Sequence, residues 1–338
     1  MRKKTRLNYK KQLEALNIIF KVKLFNKRTP LAIRWQLTEK CPSKCEYCKI
    51  WKSPSEKELP TKIIFKLLEE IKRCGTKKIS FSGGEPLLRE DIGDIITYCK
   101  RLGISPEMNS TGYLFEKKAK ELKALDLLKI SLDGPADINE LVRGKKESYN
   151  WAINAASCAQ TNKIFFIFTT TLTKFNIKYI DDILAIAKKF NTIVAFQPLK
   201  EIEYKNTTGK LDSIEPLESL FKQTINKLIS YKKQNNFLLR NSLRGLHHIY
   251  NWPQYEKLKC WGGKIFCMIA ANGEISPCDR LKYDTKIPNC AEVGFKEAFN
   301  NLPDLPPCSG CGFCGTIELN YLMAFKLDIL HLIRKILL

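Results

Sequence analysis

From residue 31 to about residue 235, short β-rich runs alternate with longer stretches of helical periodicity. The runs are Leu31–Leu37, Lys78–Phe81, Ile104–Met108, Leu127–Leu132, Ile164–Thr171 and Thr192–Phe196. Thr61–Cys74, Ile92–Leu102, Glu116–Leu125, Tyr149–Gln160, Ile180–Lys189 and Ile214–Tyr231 carry apolar residues at helical spacing. Strand-then-helix units in series close right-handed crossovers onto a parallel sheet. Six such units fall short of the eight of a closed barrel. The expected fold is therefore α/β, a partial (β/α)6 TIM-like barrel with a small Cys-rich C-terminal extension, open on one side to admit a large substrate. In such sheets the chemistry sits at the carboxyl ends of the strands.

The alternation stops near Gln234, which divides the chain into four parts. Residues 1–30 form a basic amphipathic arm, 31–235 the partial barrel, 236–315 a Cys-rich segment and 316–338 an apolar helix. The net charge is +22, and residues 1–28 concentrate it with ten Lys or Arg against Glu14 alone. An excess of this kind suits an anionic partner, whether membrane, nucleic acid or acidic substrate. A proteome that places Lys at exposed positions explains it equally well. In the arm, Tyr9, Leu13, Leu16 and Phe20 fall at helical spacing with Ile19 beside them. At the other end Asn320, Asp328, His331, Arg334 and Lys335 gather on one side, and Leu319, Leu322, Met323, Ile329, Leu330 and Ile333 on the other. These two segments read either as interfacial helices on an anionic membrane or as helices docked on the barrel.

The chain has 13 cysteines. The apolar stretch Leu16–Phe25 is broken by Asn17, Lys21 and Lys23, so no signal peptide is expected. No run reaches the length of a spanning helix. The expected location is the cytoplasm, with peripheral contact on the inner face of the membrane as a further option. Disulfides rarely persist there, and clustered cysteines serve as metal ligands or catalytic thiols. Cys74, Cys99 and Cys158 fall in helical patterns and read as buried small hydrophobes.

Right after the first run comes Cys41-Pro42-Ser43-Lys44-Cys45-Glu46-Tyr47-Cys48. Three soft thiolates in one tight loop can bind one face of a cubane cluster and leave one iron without a protein ligand. A zinc knuckle wants a fourth ligand, and none is close in sequence. The second run ends in Phe81-Ser82-Gly83-Gly84-Glu85-Pro86, where two glycines allow close backbone approach and Glu85 offers an acceptor. Asn109-Ser110-Thr111-Gly112 follows the third run and Ser131-Leu132-Asp133-Gly134 the fourth. Taken alone, those last two read equally as turn capping.

Over about residues 31–200 this arrangement resembles the radical S-adenosylmethionine superfamily. The resemblance implies a [4Fe–4S] cluster on Cys41, Cys45 and Cys48, whose open iron chelates S-adenosylmethionine. Tyr47 matches the aromatic residue usual before the third cysteine. The Gly83, Gly84 and Glu85 turn matches the family's motif for the methionine amino group. Ser110, Ser131 and Asp133 fall where polar groups contact the carboxylate and ribose. Arg143-Gly144 resembles a frequent pair in that family, though a solvated arginine is the simpler expectation.

The Cys-rich segment carries Cys260, Cys267 and Cys278, then Cys308-x2-Cys311-x2-Cys314. Such density points to Fe–S or zinc. Cys260-x12-Gly273-x4-Cys278 resembles the SPASM or twitch extension, which holds auxiliary [4Fe–4S] clusters. Its downstream part departs from the SPASM pattern by stopping at Cys314, which favours at least one auxiliary cluster over two full ones. Cys260, Cys267 and Cys278 are expected to share it with one cysteine of the Cys308–Cys314 group. Cys290 lies in an expected strand, Asn289–Phe295, and is not taken as a ligand.

The activity implied is that of an iron–sulfur oxidoreductase or transferase. It cleaves S-adenosylmethionine reductively, and the resulting 5′-deoxyadenosyl radical takes hydrogen from an unactivated carbon. An electron donor such as ferredoxin or flavodoxin would feed it. The SPASM-like tail favours a peptide or protein substrate, and the terminal helices favour a membrane lipid or isoprenoid. RNA modification rests on charge alone and ranks behind both. A non-enzymatic Fe–S or zinc scaffold would leave the Gly83–Pro86 turn unexplained.

Overall fold

A computed structural model describes residues 9–48, 50–52, 57–199, 214–234, 237–278, 281, 283–308 and 310–324, with side chains from residue 16 onward. The strands are β1 (Ala32–Thr38), β2 (Lys78–Gly83), β3 (Ser105–Ser110), β4 (Leu127–Ser131), β5 (Phe166–Leu172), β6 (Val194–Pro198), β7 (Phe266–Ile269) and β8 (Ile275–Ser276). They form one open sheet in the order β6-β5-β4-β3-β2-β1-β7-β8. All neighbours pair parallel except β7 with β8. The expected partial barrel is thus present, and the Cys-rich segment lengthens its sheet by adding β7 beside β1.

The helices are α1 (Tyr9–Phe25), α2 (Thr61–Arg73), α3 (Ile92–Arg101), α4 (Phe115–Lys118), α5 (Ala136–Arg143), α6 (Ser148–Thr161), α7 (Ile180–Lys189), α8 (Glu218–Lys233), α9 (Leu243–Tyr250), α10 (Cys290–Val293), α11 (Phe295–Asn300) and α12 (Cys314–Met323). Helix α2 shows why these segments are helical: Ile64, Leu67, Leu68 and Ile71 form one buried stripe. The stripe belongs to the same buried core as Ile33, Trp35, Leu37, Ile79, Phe81, Met108, Leu128, Ile130, Phe168 and Phe196, which alternate along the strands.

Several expectations are corrected. The helix expected over Glu116–Leu125 is a single turn, α4, and α5 was not expected at all. Cys290 opens α10 where a strand was expected, because the Asn289 side chain caps the backbone N–H of Ala291. On α1 the buried residues are Ile19 and Val22, while Phe20 is 58 % exposed. The packed stripe is therefore rotated from the expected one, and the side chains of Tyr9 and Leu13 lie outside those described. Ile19 and Val22 pack with Leu319, Leu322, Met323, Trp261, Ile265 and Phe266, so α1 and α12 dock on the same end of the sheet. Asn320, expected on a polar face, is 1 % exposed, and its Oδ1 accepts the backbone N–H of Trp261 at 3.1 Å. The remainder of the expected C-terminal helix, with Asp328 to Lys335, lies outside the described residues. Among the described residues no helix is long and apolar enough to cross a membrane.

The other strand face lines the concave side of the open barrel. Arg34, Lys78, Ser80, Ser82, Glu107, Asn109 and Lys129 occupy it, alternating with the core-facing residues above. Lys129 Nζ stands 2.6 Å and Lys78 Nζ 3.4 Å from the Glu107 carboxylate. Burial pushes Glu107 up, but the two ammonium groups outweigh it and hold its carboxyl down at about 2. A carboxyl lowered in the folded state contributes stability above its ordinary value, and that stability is lost as pH falls through the folded value. Glu107→Gln should therefore cost about 3 kcal/mol at neutral pH. In urea unfolding the gap to the wild type should narrow steadily as pH falls from 4.5 towards 2; a gap independent of pH would refute this assignment.

Candidate active site

Because β1 to β4 run parallel, their carboxyl ends, Thr38, Gly83, Ser110 and Ser131, lie at one edge of the sheet. The Cys41–Cys48 loop leaves β1 at that edge and is held from two sides. On one side Gly84 N–H donates to the Thr38 carbonyl and Glu85 N–H to the Lys40 carbonyl, both at 2.8 Å. A Cβ on Gly83 would come 2.1 Å from the Thr38 carbonyl oxygen, and one on Gly84 2.1 Å from that of Lys40. The glycines thus allow the β2 tip to lie on the root of the cysteine loop, a backbone approach within the protein itself. On the other side Lys44 N–H donates to the Arg143 carbonyl at 3.0 Å. Gly144, at φ +58°, leaves no room for a side chain against Lys44.

The Glu85 carboxylate is fully buried and fully used. Oε1 accepts from Ser110 Oγ at 2.9 Å and Leu87 N–H at 3.2 Å. Oε2 accepts from Thr111 N–H at 2.7 Å and Thr111 Oγ1 at 2.6 Å. Burial pushes its pKa up against these bonds. Four donors fill the acceptor sites of a carboxylate, so Glu85 ties the β2 tip to the β3 tip. Ser110 Oγ in turn accepts from Gly112 N–H at 2.9 Å. Thr111, passed over in the sequence, supplies two of Glu85's four bonds.

Asp133 is also spent within the protein. Its Oδ2 lies 2.6 Å from Arg143 Nη2, its Oδ1 accepts from Thr171 N–H at 2.9 Å, and the Tyr47 hydroxyl reaches Oδ2 at 3.5 Å. Arg143 is 8 % exposed, not solvated as expected. Its Nη1 lies 3.9 Å from Cys45 Sγ, and its guanidinium stands 5.9 Å from the centre of the Tyr47 ring. Ser131 stands half-buried at the β4 tip, on the same strand face as Lys129. Arg89, another residue the sequence did not single out, bonds Asp91 at 2.7 Å and the carbonyls of Leu37 and Leu59 at 3.2 Å, pinning the end of β1.

Burial raises the thiols of Cys41 to about 12 and Cys45 to about 11, and that of Cys48 in the same direction. Arg143 pulls Cys45 and Cys48 partly back. Neutral thiols of this kind become ligands when a cationic metal centre replaces their protons. The donor set, three soft sulfurs on one loop, fits one face of a cubane. Among the described residues no three His, Cys, Asp or Glu groups converge on a single-ion site.

The C-terminal cysteines divide. Cys260 is close enough to Cys311 and Cys308 for those thiols to act on its ionisation, after burial, which raises it most. The Cys278 segment adjoins them, since a Cβ on Gly262 would lie 2.9 Å from the Pro277 carbonyl oxygen. Cys314 packs against Leu127, Ile167 and Ala195 on the concave face. Cys267 is not brought to Cys260. Strand β7 turns Phe266 towards Trp261 and Cys267 into the helix-covered core, fully buried near Cys290 and Cys74. The Cys290 thiol donates to the Gly273 carbonyl at 3.0 Å.

The family model of the radical SAM superfamily matches residues 35–187. An AdoMet-dependent heme synthase of Oleidesulfovibrio alaskensis is 22 % identical over 275 residues, covering 75 % of this chain and 70 % of that protein. An Fe-coproporphyrin III synthase of Methanosarcina barkeri is 28 % identical over 170 residues, covering 49 % of this chain and 43 % of its own length. Streptococcus suis SuiB, solved with its precursor peptide SuiA, superposes with a TM-score of 0.67 at 18 % identity, over 87 % of this chain and 70 % of SuiB. The enzyme anSMEcpe, solved with AdoMet and the Cp18Cys peptide, gives 0.63 at 18 % identity over 80 % of each chain. With the matched segment running from β1 through α7 and the strand tips arranged as above, residues 35–187 form a radical SAM domain, of a family that works with a [4Fe–4S] cluster and S-adenosylmethionine, and a Cys-rich C-terminal extension follows it in the chain.

Proposed function

We propose that the chain abstracts hydrogen from an unactivated carbon of a peptide or protein substrate, with Cys41, Cys45 and Cys48 holding the cluster that binds S-adenosylmethionine. The observation that carries this reading is the cysteine loop clamped between the Gly83–Glu85 turn and Arg143-Gly144 at the carboxyl edge of an open sheet. When bound, the cluster and cofactor supply reductive cleavage of S-adenosylmethionine and with it a hydrogen-abstracting radical, the electron coming from a donor of the ferredoxin or flavodoxin kind. The chain's own residues orient and enclose. Tyr47 and Arg143 cover the Cys45 sulfur, and the Gly83–Glu85 turn takes the methionine amino group with Glu85 fixing the turn. Ser131 faces the ribose. Asp133 acts at one remove, by holding Arg143 against the cysteine loop. The peptide is favoured by the likeness in fold to SuiB and anSMEcpe, both solved with peptides.

For the extension we propose an auxiliary cluster on Cys260, Cys278, Cys308 and Cys311, with Cys267 serving the core. A membrane-lipid or isoprenoid substrate remains the second reading, and one observation favours it. Phe20, Leu24 and Phe25 are 58, 63 and 74 % exposed on α1, interleaved with Lys21 and Lys23. Apolar side chains among lysines suit the face of an anionic bilayer.

Three outcomes follow from these assignments. Changing Cys41, Cys45 and Cys48 together to Ala should abolish formation of 5′-deoxyadenosine under strong reductant and remove about four irons per chain; undiminished cleavage would sink the central assignment. Cys260→Ala should lower the iron content of anaerobically purified protein, whereas Cys267→Ala should leave it intact and cost only core stability. Stoichiometric zinc in place of iron would make the extension structural. Full-length protein should float with anionic vesicles at low salt, and the Phe20→Ser, Leu24→Ser double variant should float less. Indifference of the wild type to anionic and neutral vesicles alike would remove the lipid reading and favour the peptide.

A further inference from the structure

Closed barrels of parallel strands fill their interiors with layers of branched apolar side chains. The concave face here carries charged and hydroxyl groups across β1 to β4, beside a small apolar patch of Leu127, Ile167 and Ala195. In one rung of the sheet, Arg34 on β1 lies beside Ser80 on β2, and Ser80 beside Glu107 on β3. Lys78 enters from the rung towards the amino ends, 3.4 Å from Glu107. Lys129 reaches in from β4, 2.6 Å from Glu107 and 3.1 Å from Ser80 Oγ. Asn109 Nδ2 donates to the same Ser80 oxygen at 3.1 Å. Arg240 is near enough to act on the ionisation of both Lys78 and Glu107.

Among the described residues the charge in this nest does not balance: the ammonium groups of Lys78 and Lys129 share the one carboxylate of Glu107. Buried cations are tolerated where an anion meets them, and the uncompensated charge of the lysine pair is that of one carboxylate. Neither lysine is sealed off, with 16 % of the Lys78 side chain and 17 % of Lys129 accessible.

Position ties the nest to the proposed reaction. Lys129 precedes Ser131 at the β4 tip by two residues, about 7 Å along a strand. Arg34 Nε donates at 3.4 Å to Ser82 Oγ, in the residue before Gly83. From the other direction the extension closes in, with the Phe313 ring 5.1 Å from the Arg34 guanidinium and Cys314 on Leu127 and Ile167. The nest thus lies between the strand tips and the end of the Cys308–Cys314 loop, where a substrate carbon brought to the tips would extend the rest of its molecule.

We propose that the concave face of the sheet is a carboxylate subsite, in which Lys129 and Lys78, with Arg34 beside them, hold an acidic group of the substrate and so place its reacting carbon at the strand tips. The inference rests on the reading of the tips as the S-adenosylmethionine site and names the substrate class. The carboxylate can belong to an acidic residue of a peptide or to the carboxylate arms of a tetrapyrrole, and the test separates them.

Equilibrium binding to the reconstituted holoenzyme would be measured with two pairs of probes. One pair is a fluorescent hexapeptide with a central Glu and its Gln counterpart; the other is coproporphyrin III and its tetramethyl ester. At least one acid should bind roughly tenfold more tightly than its neutral partner, the order expected of a charge-assisted hydrogen bond. The pair showing the preference identifies the source. That preference should shrink below threefold in Lys129→Met and persist in Lys129→Arg. Lys78→Gln, read in the same way, covers the case in which Lys129→Met does not fold. No preference in either pair, or one that survives in every folded lysine variant, overturns the subsite. The readout is binding, so it can fail while the cleavage assay on the cysteine triad succeeds, and the reverse.

Discussion

Much of the site hangs on one buried ion pair, Asp133 with Arg143. The carboxylate is fixed from β5 by the Thr171 N–H, and the guanidinium extends from it to the Cys45 sulfur and the Tyr47 ring. The backbone of the same arginine holds Lys44. One pair therefore connects the tips of β4 and β5 to a loop that leaves β1, across the width of three intervening strand pairings. Removing either partner would leave an uncompensated charge in the interior, at a cost of about 3–5 kcal/mol. The cysteine loop has little regular structure of its own to replace that hold.

Glu85 does the equivalent for the neighbouring tips. A carboxylate with four protein donors is a rigid joint, and it makes the Gly83-Gly84 turn a fixed surface before any ligand arrives. Rigidity of this sort is what radical chemistry asks of a protein. The reactive group must meet one carbon and no other, so the scaffold contributes position and exclusion of water while the cofactor contributes the bond-breaking.

The fold was largely legible in the sequence because its signal is periodic. Strand alternation and the Ile64-Leu67-Leu68-Ile71 type of stripe are local patterns, and each expected run lies within a few residues of an observed strand. The motif positions were legible too, since the loops after β1 and β2 are contiguous in the chain. What was not legible is where side chains are committed. Asp133 and Glu85 look like ligand contacts because acidic residues at strand tips are usually free to serve, and only the fold shows their acceptor sites filled. Arg143 was expected in water because charged residues default to the surface; helix α5 carries it back under the loop. Cys267 could have been separated from Cys260 by parity alone. It sits in the apolar run Phe266–Ile269 between two residues that face the other way, the mark of a buried strand position.

The two ends of the chain bear on the same question as the concave face. The described parts of α1 and α12 bury Ile19, Val22, Leu322 and Met323 against Trp261 and Phe266 at the amino ends of β1 and β7. That packing covers the amino end of the open barrel and buries Ile19, Leu319, Leu322 and Met323, part of the apolar surface that had suggested a membrane. Among the described residues it leaves Phe20, Leu24 and Phe25 of α1 exposed. With that end covered, the carboxyl edge and the open side are where a substrate would be expected to approach the sheet. Either way it meets the lysines on the concave face before it reaches bottom. Across β1 to β4 a long hydrocarbon would meet mainly hydroxyls and ammonium groups, with Leu127, Ile167 and Ala195 as the apolar exception, whereas an acidic chain would find its counter-charge. The chemistry of the concave face thus weighs against a purely apolar substrate, even though the cofactor chemistry itself is indifferent to that choice.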